Sequence, residues 1–140
     1  MGSDLHTDQK FVIGARREAV VDAEVTRTQI VQYAAASGDY SPLHTDEPWA
    51  QLSGYPSVMA HGMLTMAATE TLLAEWVGRN RLVRYRARFV HPVWPGDSLH
   101  AVATAVAVRS SAHGDEVDFE IRTTNHHGVV VLSGDATARV

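Results

Sequence analysis

The chain is 140 residues long, 45% hydrophobic and 20% charged, proportions that fit one soluble globular domain able to bury a core. Its 12 basic and 16 acidic side chains leave a net charge of −4, and no basic block marks a nucleic-acid or membrane-surface partner. The absence of cysteine excludes disulfides, Cys-based zinc sites and a thiol nucleophile.

The opening residues MGSDLHTDQK lack the apolar core of a signal peptide, and nowhere do about 18 uninterrupted apolar residues occur. A cytoplasmic protein with a flexible segment at 1–10 is expected. Residues Glu18 to Val25 read as a first strand of modest quality. Thr26-Arg27-Thr28-Gln29 then has capping-box spacing, so a helix should start near Arg27. Ile30, Tyr33, Ala34 and Ser37 would form its buried stripe, and Gly38 can end it. The next stretch, Gly38 to His44, is expected as a loop that presents Asp39 and His44 together. Asp46-Glu47-Pro48 predicts a short second helix through Leu52, with proline in its tolerated first turn.

From His61 to Val77 the chain is apolar on nearly all sides, with acidic charge only at Glu70 and Glu75, so the sequence predicts a long helix buried nearly all round. Gly78 can stop it. The rest reads as strand. Val83, Tyr85, Ala87 and Phe89 alternate with Arg84, Arg86 and Arg88, the period-two pattern of a sheet with one solvated face. Pro92, Pro95 and Gly96-Asp97 turn the chain into a strand from Ser98 to Arg109. His113-Gly114-Asp115 signals a hairpin, Val117 to Thr124 alternates with Phe119 and Ile121 inward, and a last strand runs from Val129 to about Arg139. Strand, helices, buried helix, then four strands suggests an α+β domain in which an antiparallel sheet curls around one helix.

The run Tyr33-Ala34-Ala35-Ala36-Ser37-Gly38-Asp39-Tyr40-Ser41-Pro42-Leu43-His44, joined to Ala60-His61-Gly62-Met63-Leu64-Thr65, resembles the hydratase motif of MaoC-like dehydratases. Val93 to Leu99 is similar to the Pro-Gly-Asp turn that this family places before its third strand. The resemblance covers about residues 15 to 140. It implies a hot-dog fold, in which an antiparallel five-stranded sheet wraps around a long central helix, over a single domain at 1–140. Ser41 stands where the family usually has asparagine, although a hydroxyl can still bond the loop backbone.

The resemblance further implies a lyase that reversibly hydrates trans-2-enoyl thioesters of CoA or ACP to (3R)-3-hydroxyacyl thioesters, without cofactor. Asp39 and His44 would be the catalytic acid–base pair. An imidazole titrates near neutral pH, and a carboxylate in a drying pocket becomes more basic. We assign Asp39 to the water and His44 to the α-proton. Gly62, at a helix N-terminus, would offer its N–H to the thioester oxygen as an oxyanion hole. Without the motif, Asp39 would read as a turn residue, His44 as a loop histidine and Gly62 as a packing glycine.

His61 and Ser57 are expected as structural hydrogen-bonding residues. Met59, Met63, Leu64 and Trp76 would either line an acyl tunnel or pack the core, the commoner role. Arg84, Arg86 and Arg88 would either meet carrier phosphates or cover a solvated face. The pair His126-His127 has no third ligand in view, and no metal is expected. Two alternatives accompany the hydratase: a hot-dog acyl-CoA thioesterase working through Glu70 or Glu75, and a helper subunit of a heterodimeric dehydratase. A homodimer, or a heterodimer with another hot-dog subunit, is expected because a lone sheet leaves its edge open.

Overall fold

The computed structural model describes residues 11–140; the flexible segment expected at 1–10 lies outside the described residues. Strand β1 (Arg16–Asp22) leads into helix α1 (Arg27–Ser37), the short helices α2 (Pro42–Thr45) and α3 (Glu47–Leu52), and the long helix α4 (Gly62–Val77). Strands β2 (Leu82–Phe89), β3 (Leu99–Ser111), β4 (Gly114–Asn125) and β5 (Val130–Arg139) complete the chain. All pairings are antiparallel, and the sheet order is β1-β3-β4-β5-β2. This is the α+β hot-dog arrangement that the resemblance implies.

The sheet folds around α4 because both carry one continuous apolar surface. Leu72, Leu73, Trp76 and Val77 of α4 join a core with Ala101, Ala103 and Ala105 of β3, Phe119 and Ile121 of β4, and Leu132, Ala136 and Ala138 of β5. Burial of each large side chain contributes about 1.5–3 kcal/mol. Phe11 and Phe119 pack edge-on, and Trp76 lies 5.1 Å from Phe119, so Trp76 belongs to the core and not to a tunnel. One polar seam crosses this interior: Thr69 on α4 donates to the Thr65 carbonyl at 2.9 Å, and its hydroxyl also meets that of Thr123 on β4 at 2.7 Å.

Several sequence expectations are corrected in detail. The first strand starts two residues earlier than expected and ends at Asp22, because Glu24 N–H bonds the Asp22 carboxylate and turns the chain. Val25, expected as strand, is instead buried against the Pro-Gly-Asp turn through Val25 N–H to Asp97 O and Gly96 N–H to Val25 O. Ser37 is exposed, leaving Ile30 and Ala34 as the buried stripe of α1. The helix α4 is not buried all round: Met63, Ala67, Thr71 and Glu75, four residues apart in turn, make an exposed stripe on the isolated chain. In β2 the register slips between Leu82 and Arg84, which turns Val83 outward. Both Arg84 and Arg86 pair with Asp135 on the neighbouring strand, at 3.0 and 2.9 Å, so they serve the sheet surface.

A glycine lets β2 and β5 come unusually close. A Cβ on Gly134 would lie 2.2 Å from the Arg86 carbonyl oxygen and 2.9 Å from Ala87 Cα. That close approach fixes the course of β2, whose last residue, Phe89, reaches the N-terminus of α4.

Candidate active site

The sequence from Thr26 to Gly62 builds the site through local caps. Thr26 accepts from Gln29 N–H at 3.0 Å and Gln29 accepts from Thr26 N–H at 3.3 Å, the expected reciprocal box. Gly38 ends α1 in the left-handed region, with φ of 78°, where a side chain would be strained. Asp39 then forms an Asx turn: its Oδ1 accepts from Ser41 N–H at 3.2 Å. Ser41 caps the single turn α2 by accepting from Leu43 N–H at 3.4 Å, with Pro42 in the first helical position. The residue that departs from the family pattern therefore still bonds the loop backbone. His44 stands on this helical turn, where the sequence suggested only loop.

A clasp to the segment before α4 sets the ring. His44 Nδ1 donates to the Met59 carbonyl at 2.7 Å, and Met59 N–H bonds the Leu43 carbonyl at 3.2 Å. Since a carbonyl only accepts, Nδ1 carries the proton in the neutral ring and Nε2 keeps its lone pair. Nε2 faces Asp39 Oδ2 at 3.7 Å. The imidazole side chain is 11% exposed and the carboxylate 52%, so the histidine lies inside and the aspartate at the rim.

His61 ties these parts together. It is 2% exposed, its Nε2 donates to the Asp39 carbonyl at 3.0 Å, and its ring stacks on His44 with centroids 3.7 Å apart at 21°. Its Nδ1 has no partner among the described residues. Sequence reasoning gave His61 a structural bond but no partner, because Asp39 is 22 residues away. Ligating atoms of Asp39, His44 and His61 lie within 4.8 Å of one another. The near-parallel rings, however, carry their in-plane lone pairs side by side and do not converge on one cation as a tetrahedral site requires.

Helix α4 begins at Gly62, directly after His61, and His61 makes no side-chain cap. The N–H groups of Gly62 and Met63 have no protein acceptor among the described residues, as the first turn of a helix dictates. A cleft of about 300 Å³ opens here, lined among others by His44, Met59, Gly62, Thr65, Phe89 and Val93. A Cβ on Gly62 would lie 2.7 Å from two atoms of the Phe89 ring, so glycine is what lets that ring lie against the amide. His44 and Gly62 thus share one cleft, with Asp39 beside it.

The other expected residues are divided between the cleft and the rest of the fold. Met59 lines the cleft, Met63 is 54% exposed, and Leu64 packs partly against the core. Glu70 is half-buried near Tyr85, whose phenol burial and this carboxylate push above its ordinary range, and Glu75 is exposed. Neither glutamate lines the cleft. His126 accepts from Ser98 N–H through Nδ1 at 3.2 Å, a use for the ring that needs no metal. No described helix is long and apolar enough to cross a membrane.

Comparison with known proteins agrees with this architecture. Over 110 residues, 78% of the chain, it is 31% identical to the mitochondrial 3-hydroxyacyl-[acyl-carrier-protein] dehydratase of Arabidopsis thaliana, covering 66% of that protein. Over 70 residues, 49% of the chain, it is 46% identical to 3-hydroxyacyl-thioester dehydratase X of Mycobacterium tuberculosis, covering 24% of that protein. The chain therefore spans less than two thirds of either relative. The structure of the (R)-hydratase from A. caviae involved in PHA biosynthesis superposes with a TM-score of 0.84 at 22% identity, over 94% of this chain and 98% of that one, a likeness of fold. The family model described as MaoC like domain matches residues 8–129, most of the sequence, and the chain belongs to that family.

Proposed function

We propose that the protein is a hydro-lyase that adds water to trans-2-enoyl thioesters, and removes it from (3R)-3-hydroxyacyl thioesters, with Asp39 and His44 as the acid–base pair and Gly62 N–H as the oxyanion donor. The observation that carries this reading is the shared cleft: His44, whose Nε2 is free of any backbone bond, and Gly62, whose first-turn amide is unpaired among the described residues, line one space, with a carboxylate 3.7 Å from the imidazole. The names of the two dehydratase relatives support the reaction class.

Each group has one part in the chemistry. Asp39 Oδ1 is committed to its turn, so Oδ2 is the oxygen available to a water, and a water at its apex can touch both Oδ2 and Nε2. Removing the α-proton pushes charge onto the thioester oxygen, which Gly62 N–H and the positive end of α4 would stabilise. The neighbouring Phe89 ring and the Val93 side chain would keep bulk water from that oxygen.

The test is loss of the conjugated enoyl absorbance with crotonyl-CoA and longer homologues. Asp39→Asn and His44→Ala should each lower kcat by about 10²–10⁴-fold, the range of general acid–base catalysis. Wild-type turnover in both variants would remove the pair from the mechanism. The thioesterase alternative needs Glu70 or Glu75 in the cleft, and neither lines it. A homodimer is proposed on the exposed Phe89 and Val90, which line the cleft, and Met63, next to Gly62 on α4, 49%, 53% and 54% open on the isolated chain. Activity only after mixing with a second hot-dog chain would instead establish the heterodimer.

A further inference from the structure

The hydroxyl groups of helix α4 differ in a way that the proposed roles of Asp39, His44 and Gly62 leave unused. Thr69 spends its hydroxyl on the Thr65 carbonyl and the Thr123 side chain, and Thr71 donates to the Ala68 carbonyl at 2.6 Å. Thr65 is 3% exposed, yet its hydroxyl has no hydrogen-bond partner among the described residues. Such a group is costly to bury without a partner. The single fully buried side-chain polar atom without a partner is His61 Nδ1 among the described residues, so the Thr65 hydroxyl must touch solvent. Thr65 lines the cleft, and the cleft is the solvent within its reach.

Its place along the helix says what it would meet. Side chains on a helix lean toward the N-terminus and cover the turn before their own Cα, so Thr65 lies over Gly62 and His61. Most of the remaining cleft wall is apolar: Met59, Ala60, Val90, Pro92 and Val93 offer no side-chain donor, and His91 spends its Nδ1 on the Pro92 carbonyl at 2.7 Å. A ligand with a carbonyl oxygen at the Gly62 amide would thus have the Thr65 hydroxyl as its neighbouring donor. We infer that Thr65 is a second oxyanion donor, its hydroxyl hydrogen-bonding the thioester oxygen beside Gly62 N–H. This rests on the hydratase reading above and adds a side-chain contact to it.

The experiment measures kcat and KM for crotonyl-CoA hydration with the full chain as wild type, Thr65→Val, Thr65→Ser and Asp39→Asn. Valine keeps the shape and removes the donor. Loss of one such donor lowers kcat by about 10²-fold, so Thr65→Val should lose that much with KM nearly unchanged, and Thr65→Ser should recover most of it. Thermal unfolding of each variant separates this from misfolding, and Thr65→Ala removes the same donor if the valine chain does not fold. Wild-type kcat in Thr65→Val, an equal loss in Thr65→Ser, or a loss confined to KM overturns the inference while Asp39→Asn remains impaired. An inactive wild type, or an active Asp39→Asn, overturns the hydratase reading and this inference with it.

Discussion

Replacing Gly134 by alanine should unfold the protein far more readily than a one-carbon change normally does. The new Cβ would lie 2.2 Å from the Arg86 carbonyl oxygen and 3.1 Å from its carbonyl carbon, so about 1 Å of separation must be created. Both atoms are backbone, and the pairings Arg86↔Asp135, Ala87↔Gly134 and Arg88↔Ser133 hold them in place. Separating the strands there loses about two ladder hydrogen bonds at about 1 kcal/mol each, and overpacking adds about 1–3 kcal/mol. The sum is about 3–5 kcal/mol, or a fall in Tm of about 12–20 °C at roughly 4 °C per kcal/mol. Calorimetry of Gly134→Ala beside wild type measures it, and hydrogen exchange should show protection lost first at the β2 amides. A fall of less than about 4 °C would refute the argument that this contact is rigid backbone.

The remaining predictions concern the site and the surface. Gly62→Ala meets the Phe89 ring and not backbone, and that ring is half exposed, so Tm should hold within a few degrees while crotonyl-CoA turnover falls about 10-fold or more as the ring is pushed across the amide. Thr26→Ala removes one bond of the capping box and should cost about 1 kcal/mol by urea unfolding. Nitrogen NMR of the neutral imidazoles should find His44 protonated on Nδ1 and His61 on Nε2, and the opposite tautomer at His44 would contradict the clasp to Met59. Acidification should weaken the sheet: the bond from Arg109, then that from Thr137, holds Asp118 down to about 2, and arginines also lower Glu116 and Asp135. Because these values lie below the unfolded ones, the stabilisation is complete above about pH 4 and is lost as pH falls toward about 2. Asp118→Asn should flatten that slope, and stability that rises on acidification through this window would contradict it.

What was legible in the sequence is what local chemistry decides. The Thr26 box, the Gly38 stop, the Pro-Gly-Asp turn and the hairpin at Gly114 each depend on residues a few positions apart, and each appears in the structure. The single turn Pro42–Thr45 escaped because four residues carry too little periodicity to stand out from a loop. The outward stripe on α4 escaped for another reason: Met63 and Ala67 are as apolar as the core residues beside them, and hydropathy does not say which face lacks a partner. The slip at Val83 depends on pairing with a strand some 50 residues away, and so does the collision that makes Gly134 necessary. The free hydroxyl of Thr65 could be recognised only after its neighbours' bonds were known.

The clasp at Met59 has a consequence for proton traffic. By holding the Nδ1 proton it leaves His44 a single working nitrogen, inside the protein, while the Asp39 carboxylate 3.7 Å away stands at the water's edge. The two groups are then connected to bulk water in series. In the proposed mechanism a hydrogen lifted onto Nε2 would leave by way of the carboxylate and the waters around it, so the exposure of Asp39, more than that of His44, would govern how quickly label from heavy water reaches a bound molecule.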